Sequence, residues 1–225
     1  MLQSMAKVVA ATAVFGLCHS ALASRKAKRI AAHTLGERNR NGLYRVFYIG
    51  QSAIATATLI AYIRRLPSRD IYHVKGGAAV LMHAAQLGSL IHATLAARQV
   101  GVDRITGVRS FMQWLGDGPV SPEPEAQGPA LDGEGLSNAP GPFRASRHPL
   151  NLSPLPILWL WPQMTTSLLA FNAAATAYLI VGSKHEEARL RDAYGGKYDA
   201  YRDSGVPFYI PHIVPQANEL SIGRG

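Results

Sequence analysis

Residues 150–182 read LNLSPLPILWLWPQMTTSLLAFNAAATAYLIVG, a run without one charged side chain. A helix needs about 20 apolar residues to cross roughly 30 Å of hydrocarbon. The run is too long for one ordinary crossing and somewhat short for two. Proline cannot continue a helix without removing a hydrogen bond, so Trp161-Pro162-Gln163 marks the break of a hairpin with two short or tilted arms. Pro149, Pro154 and Pro156 predict an irregular entry into the first arm. Unpaired backbone at membrane depth is tolerated only against protein or a wet cavity, whereas prolines also start ordinary helices. The entry therefore fits either a site or a plain helix start.

Working outward, three more apolar stretches pass the same length test: Met5 to Ser24, Leu43 to Ile63 and Val74 to Ala97, charged only near their ends at Lys7, Arg45 and Lys75. The first ends in ALAS at 21–24, which imitates a cleavage site, but its basic cluster follows the run, so it reads as a retained span. Of 225 residues, 48% are hydrophobic and 16% charged, against roughly 25% charged in soluble proteins. The net charge of +9 lies in short basic segments between apolar runs, not on one face with interleaved aromatics. That excludes nucleic acid and points to membrane lipids. Cys18 is alone, so neither a disulfide framework nor a cysteine metal site can be built, and no metal ligands are assigned. The expected fold class is an all-α, polytopic membrane helix bundle of about five transmembrane helices with a C-terminal cytoplasmic helix.

Arg25, Lys26, Lys28, Arg29, Arg38, Arg40 and Arg45 lie between the first two spans, against Glu37 alone; the next loop has Arg64, Arg65, Arg69 and Lys75. The positive-inside rule puts the first loop in the cytoplasm, the N-terminus outside, and the 98–147 connection and everything after Gly182 inside. The expected location is a bacterial inner membrane. Three regions follow: three spans in 1–97, an interfacial helix and loop in 98–147, and the hairpin with a cofactor-binding helix and tail in 148–225. Val102, Ile105, Val108, Met112 and Leu115 recur at helical spacing, predicting a helix in the interface with Trp114 at headgroup level. From Gly116 to Pro142 the chain is Gly- and Pro-rich, with acids and no base, and reads as a loop, either a lid or slack.

After the last span comes SKHEEARLRDAYGGKYDAYRDSGVPFYIP, 183–211, where Glu187, Leu190, Tyr194, Tyr198 and Tyr201 fall on one helical face across the weak point Gly195-Gly196. A plain cytoplasmic helix with acids in its first turn explains this segment alone. The hairpin changes that reading, because its short turn brings Arg147-His148 and Glu186-Glu187 together at the cytoplasmic ends of the two arms. Such a pair of pairs suits a zwitterion: arginine or histidine meets a carboxylate, glutamate an ammonium, and tyrosines a nucleobase or sulfonium.

RHP at 147–149 followed by EExxLxxxYGxxYxxYxxxxVP from Glu186 to Pro207 resembles the C-terminal signature of the isoprenylcysteine carboxyl methyltransferase superfamily, which includes phospholipid and small-thiol methyltransferases. FGLCHSALASRKAKR from Phe15 and LGERNRNGLYRVFY from Leu35 are similar to denitrification-linked membrane proteins of that superfamily. The resemblance implies a cytoplasm-facing pocket for S-adenosylmethionine and a lateral opening for a lipophilic acceptor. It implies that His148, the backbone of Pro149 and Leu150, Glu186, Glu187, Tyr198 and Tyr201 hold the cofactor, with Arg147, His148 and Glu187 as the catalytic set. The family continues RHP with a residue, tyrosine, a residue and glycine; here Asn151 and Ser153 stand instead, and asparagine lacks the aromatic surface.

Methyl transfer from a sulfonium is an in-line displacement that needs positioning and no metal. The expected function is an integral membrane S-adenosylmethionine-dependent methyltransferase acting on a lipophilic or small thiol, carboxyl or amine acceptor. For a neutral acceptor, His148 or a nearby glutamate is the candidate base. The alternative is a non-catalytic membrane accessory protein that binds haem or a partner. His19, His83 and His92 lie inside spans, where polar residues are expensive and often functional. His83 and His92 sit about 180° apart on a helix and cannot share one ligand, which leaves a His19–His83 pair or interhelical hydrogen bonds. His92 shares a small-residue face with Ala85, Gly88, Ser89 and Ala96 that predicts close helix packing.

Overall fold

Residues 1–122, 128 and 141–210 are described in a computed structural model of the chain. Most of the expected 116–142 loop, and 211–225 with His212, lie outside them. In chain order the helices are α1 (Leu2–Ala23), α2 (Arg25–Leu35), α3 (Glu37–Arg65), α4 (Gly76–Val100), α5 (Val102–Thr106), α6 (Val108–Leu115), α7 (Pro149–Leu152), α8 (Pro154–Trp159), α9 (Thr166–Tyr194) and α10 (Gly196–Asp203). A 3-10 turn covers Gly141–Arg144, and strands β1 (Asp70–His73) and β2 (Gln163–Thr165) pair antiparallel.

Among the described residues α1, α3, α4 and α9 are long and apolar enough to cross a membrane. Leu17, Ile54, Val80 and Leu81 are each at least 66% exposed, an apolar surface that suits lipid and not water. The protein is an all-α integral membrane bundle. Its α9 is apolar as far as Gly182, and Ser183–Tyr194 extends beyond that stretch as a polar helix.

The fifth crossing differs from expectation. β1 and β2 tie the α3–α4 turn to the hairpin turn, with Thr166 N donating to Arg69 O and Val74 N to Pro162 O. From Thr166, α9 climbs about 30 Å at 1.5 Å per residue to reach Glu186, which touches His148 at the far end. The first arm covers that same thickness as α7 and α8, of 4 and 6 residues, and neither can span alone. Prolines at 154 and 156 supply no N–H, so the arm cannot be one helix. Buried Gln86 and Asn172 donate instead to the Ile157 and Leu158 carbonyls, at 3.1 and 2.7 Å, which meets the rule that backbone in a membrane be satisfied by protein.

Two other expected helices are broken. The interfacial one divides into α5 and α6 at Gly107, whose φ of +78° favours glycine. Trp114 docks on α3, donating from Nε1 to Asn39 Oδ1 at 2.9 Å, while Arg38 donates to the Trp114 and Gly116 carbonyls. A Cβ at Gly42 would lie 2.3 Å from Trp114 Cβ, so only glycine permits this approach. Gly42→Leu is expected to cost about 1–3 kcal/mol by overpacking and to lower the melting temperature in nanodiscs by about 5 °C. An unchanged melting temperature would show that α6 does not pack there. The tyrosine stripe is likewise interrupted, since α9 ends at Gly195 and α10 starts anew. On α4, Ala96 is buried as expected, whereas Ala85 and Gly88 face outward.

Candidate active site

The site begins where the chain enters α7. Arg147 N donates to Pro207 O at 2.9 Å and Ser146 Oγ to Phe208 O at 3.1 Å, which strap the tail beneath the hairpin. His148 caps α7, Pro149 takes the first helical position, and the His148 carbonyl accepts from the Asn151 and Leu152 amides. Across from it, Ser183, Glu186, Glu187 and Leu190 recur at helical spacing on one side of α9.

The two glutamates divide the work. Glu187 Oε1 accepts from Arg147 Nε at 2.8 Å and from the Tyr198 hydroxyl at 3.2 Å, while Arg147 Nη1 donates to Val206 O at 2.6 Å. His148 Nε2 also lies 3.3 Å from Glu187 Oε1, but at an angle that makes no hydrogen bond, and this buried nitrogen has no hydrogen-bond partner among the described residues. Burial alone pushes the Glu187 carboxyl up, but the Arg147 guanidinium, by hydrogen bond and charge, and then His148 hold it below its ordinary value of 4.5. Burial pushes the Tyr198 and Tyr201 phenols up, the Glu187 charge adding to it at Tyr198, so both are neutral donors. Tyr201 donates to Phe143 O at 2.6 Å, inside an apolar cluster of Ala96, Val100, Phe143, Leu190, Tyr198 and Val206 against which Leu150 packs.

A pH dependence follows. A carboxyl depressed in the folded state stabilises fully above its unfolded value and loses that contribution as pH falls through the folded one. The stability advantage of wild type over Glu187→Gln should stay constant from about pH 7 to about pH 5 and shrink below about 4.5. Thermal unfolding of both proteins across that range checks this, and an advantage that fades already near neutrality would contradict it.

Glu186 turns the other way. Its Oε2 accepts from Asn151 Nδ2 at 3.0 Å and lies 3.3 Å from His148 Nδ1. Asn151 Nδ2 also donates to Ser183 Oγ at 2.9 Å, and Ser183 Oγ is 2.8 Å from Tyr209 Oη. Glu186 and Asn151 line an open cavity of about 770 Å³ bordered by α1, α2, α3, α7 and α9. Among the described residues Glu186 is the one carboxylate that lines it, with Lys28, Arg40, Arg45 and Arg189 also on its walls and Leu17, Ile49 and Leu179 supplying apolar surface.

Arg147, His148, Glu186, Glu187 and Tyr198 thus come together, as the sequence led one to expect. Pro149 is buried with them, and Arg147, His148, Glu187, Tyr198 and Tyr201 stand behind the cavity wall. Sequence reasoning missed the opposite wall: Tyr44 and Tyr48, four apart on α3, face His19 of α1 and Tyr178 of α9. The tyrosine spacing in LYRVFY was the available signal. Of the membrane histidines, His19 bonds across to α3 and His92 Nδ1 lies 2.8 Å from Ser153 Oγ, while His83 Nδ1 is 2.8 Å from Gln86 within its own helix.

No family model matches the sequence. No solved structure matches it either. Over part of its length the chain is similar to methanethiol S-methyltransferases. It is 32% identical over 89 residues to that of Pseudomonas deceptionensis, covering 40% of this chain and 34% of that protein. It is 36% identical over 74 residues to that of Crocosphaera subtropica, covering 33% and 29%. The aligned stretches span about a third of the length of these relatives, and methanethiol S-methyltransferase 2 of Bradyrhizobium diazoefficiens, 38% identical over 71 residues, covers 32% of this chain and 27% of its own.

Proposed function

We propose that the protein is an integral membrane methyltransferase that takes a methyl group from S-adenosylmethionine and transfers it to a small or lipophilic acceptor. One observation carries this reading: the hairpin's two inner ends meet beside a cavity lined, among the described residues, by a single carboxylate, Glu186, and four basic side chains. The donor is a zwitterion, and that wall offers charges of both signs to its ammonium and carboxylate. Glu186 would meet the ammonium, a basic side chain the carboxylate, and Tyr44 and Tyr178 the adenine. Arg147 and Glu187 neutralise each other and tie down the tail, so in this reading they position His148, which orients Glu186 together with Asn151.

The partial likeness to methanethiol S-methyltransferases supports a thiol acceptor. The donor supplies an electrophilic methyl, and the chain's own part is to align it with the acceptor and exclude water. In this reading the end of the cavity lined by Lys28 and Arg40 faces the cytoplasm of a bacterial inner membrane, which the count of bases in the α1–α3 connection supports. The full chain in nanodiscs, given methyl-labelled S-adenosylmethionine and a panel of thiols, amines, phenols and fatty acids, is expected to pass label to an organic acceptor. Failure to bind the donor, with a Soret band on adding haem, would favour the accessory-protein reading.

A further inference from the structure

The cavity holds a second chemistry, at its α1–α3 wall, that the charged ends of the hairpin do not use. Tyr48 Oη lies 2.5 Å from His19 Nε2, and His19 Nδ1 lies 3.0 Å from Ser52 Oγ. His19 and Tyr48 both line the cavity. If the phenol donates to Nε2, the ring hydrogen sits on Nδ1 and Ser52 accepts it. An imidazole held in that tautomer can gain one proton through Tyr48, whose hydroxyl hands its hydrogen to Nε2 while taking another from a group in the cavity. Around the pair stand apolar Leu17, Ile49 and Leu179, together with Tyr44 and Arg45 on α3, Tyr178, Glu186 and Arg189 on α9, and Lys28 on α2. The Arg45 guanidinium is 5.6 Å from the Tyr48 ring centroid and donates to Ile105 O at 2.7 Å, so it is held in place as a fixed positive charge.

We propose that Tyr48 and His19 accept the proton released in methyl transfer, and that the acceptor is therefore a neutral thiol or phenol on an apolar body and not a carboxylate. The inference rests on the function proposed above and adds the acceptor's ionisation state. In the step, a lone pair of the acceptor atom bonds to the methyl carbon. The carbon–sulfur bond of the donor breaks with its electron pair going to sulfur. The acceptor's proton goes to Tyr48 Oη, and the Tyr48 proton goes to His19 Nε2. A sulfonium charge disappears as an imidazolium charge appears, so the cavity's net charge is unchanged and no buried charge is created without compensation. A carboxylate arrives already ionised and gives this pair nothing to accept.

The test uses full-length protein in nanodiscs and two thiols: ethanethiol, which is protonated at neutral pH, and 4-nitrothiophenol, which is ionised. His19→Gln and Tyr48→Phe are each expected to slow methylation of ethanethiol about 100-fold, as loss of a general base does. With 4-nitrothiophenol the loss should stay under about threefold, and donor affinity should not change. Without donor, 4-nitrophenol bound to wild type should show its visible ionised band, reduced several-fold in His19→Gln. Equal losses with both thiols, unchanged rates with both, or preferential methylation of a fatty acid would overturn the inference. Should His19→Gln fail to fold, Tyr48→Phe, which keeps the ring, carries the same comparison. Absence of donor binding by wild type would sink the methyltransferase reading itself, whereas donor binding with no transfer to any thiol or phenol would sink the proton-accepting pair alone.

Discussion

Arg147→Ala is expected to cost about 3 kcal/mol of stability and to lower the melting temperature by about 10 °C. The side chains of Arg147 and Glu187 are only 14% and 22% exposed, so removing one partner leaves a largely desolvated charge behind. The alanine also abandons the Val206 carbonyl, which accepts from Arg147 Nη1, and thereby loosens the strap that holds the tail under His148. Replacing both partners, as Arg147→Met with Glu187→Leu, should recover much of the loss, because an apolar pair of similar volume is often neutral relative to a buried ion pair. Thermal unfolding of wild type, single and double variants in nanodiscs reads this directly. A single variant as stable as wild type would mean that the Arg147–Glu187 contact does not hold this end of the bundle together.

Glu186→Gln is expected to act on the donor and hardly on the fold. Glutamine keeps the shape and can still accept from Asn151 and His148, so the melting temperature should move by no more than about 2 °C. A charge-assisted hydrogen bond is worth about 1.5–3 kcal/mol, which translates to a roughly 10- to 100-fold weaker affinity for S-adenosylmethionine. S-adenosylhomocysteine, which keeps the ammonium but lacks the sulfonium charge, should lose affinity by the same factor. A loss confined to S-adenosylmethionine would place Glu186 against the sulfonium instead. Titration calorimetry with both ligands distinguishes the two, and an unchanged affinity for both would remove Glu186 from the donor site.

How far the sequence discloses this protein depends on the kind of signal each part carries. Helices α1, α3, α4 and α9 were legible because hydrocarbon thickness sets a minimum apolar length that few other constraints imitate. The hairpin turn at Trp161-Pro162-Gln163 and the meeting of Arg147-His148 with Glu186-Glu187 followed from that same arithmetic. The first arm was half legible: its prolines announced irregularity, but not that Gln86 and Asn172, remote in sequence, would satisfy its carbonyls. The roles within the acidic pair were not legible, since adjacent residues on a helix point about 100° apart and only the packed structure decides which meets Arg147. Asn151 read as the loss of an aromatic surface; in the structure its amide binds both Glu186 and Ser183. Of the α1–α3 wall only the tyrosine spacing in LYRVFY gave a sign, because no short motif ties His19 to Tyr48 and their contact depends on how two spans are rotated against each other.

The position of the donor is the claim on which the rest stands. Ultraviolet cross-linking of S-adenosylmethionine labelled in its adenosine moiety, followed by peptide mapping, measures it directly. Adducts on the cavity wall, in the segments carrying Tyr44, Tyr178 or Glu186, and competed away by S-adenosylhomocysteine, are the predicted result. Labelling that is not competed, or that maps to the β1–β2 end of the bundle, would contradict it.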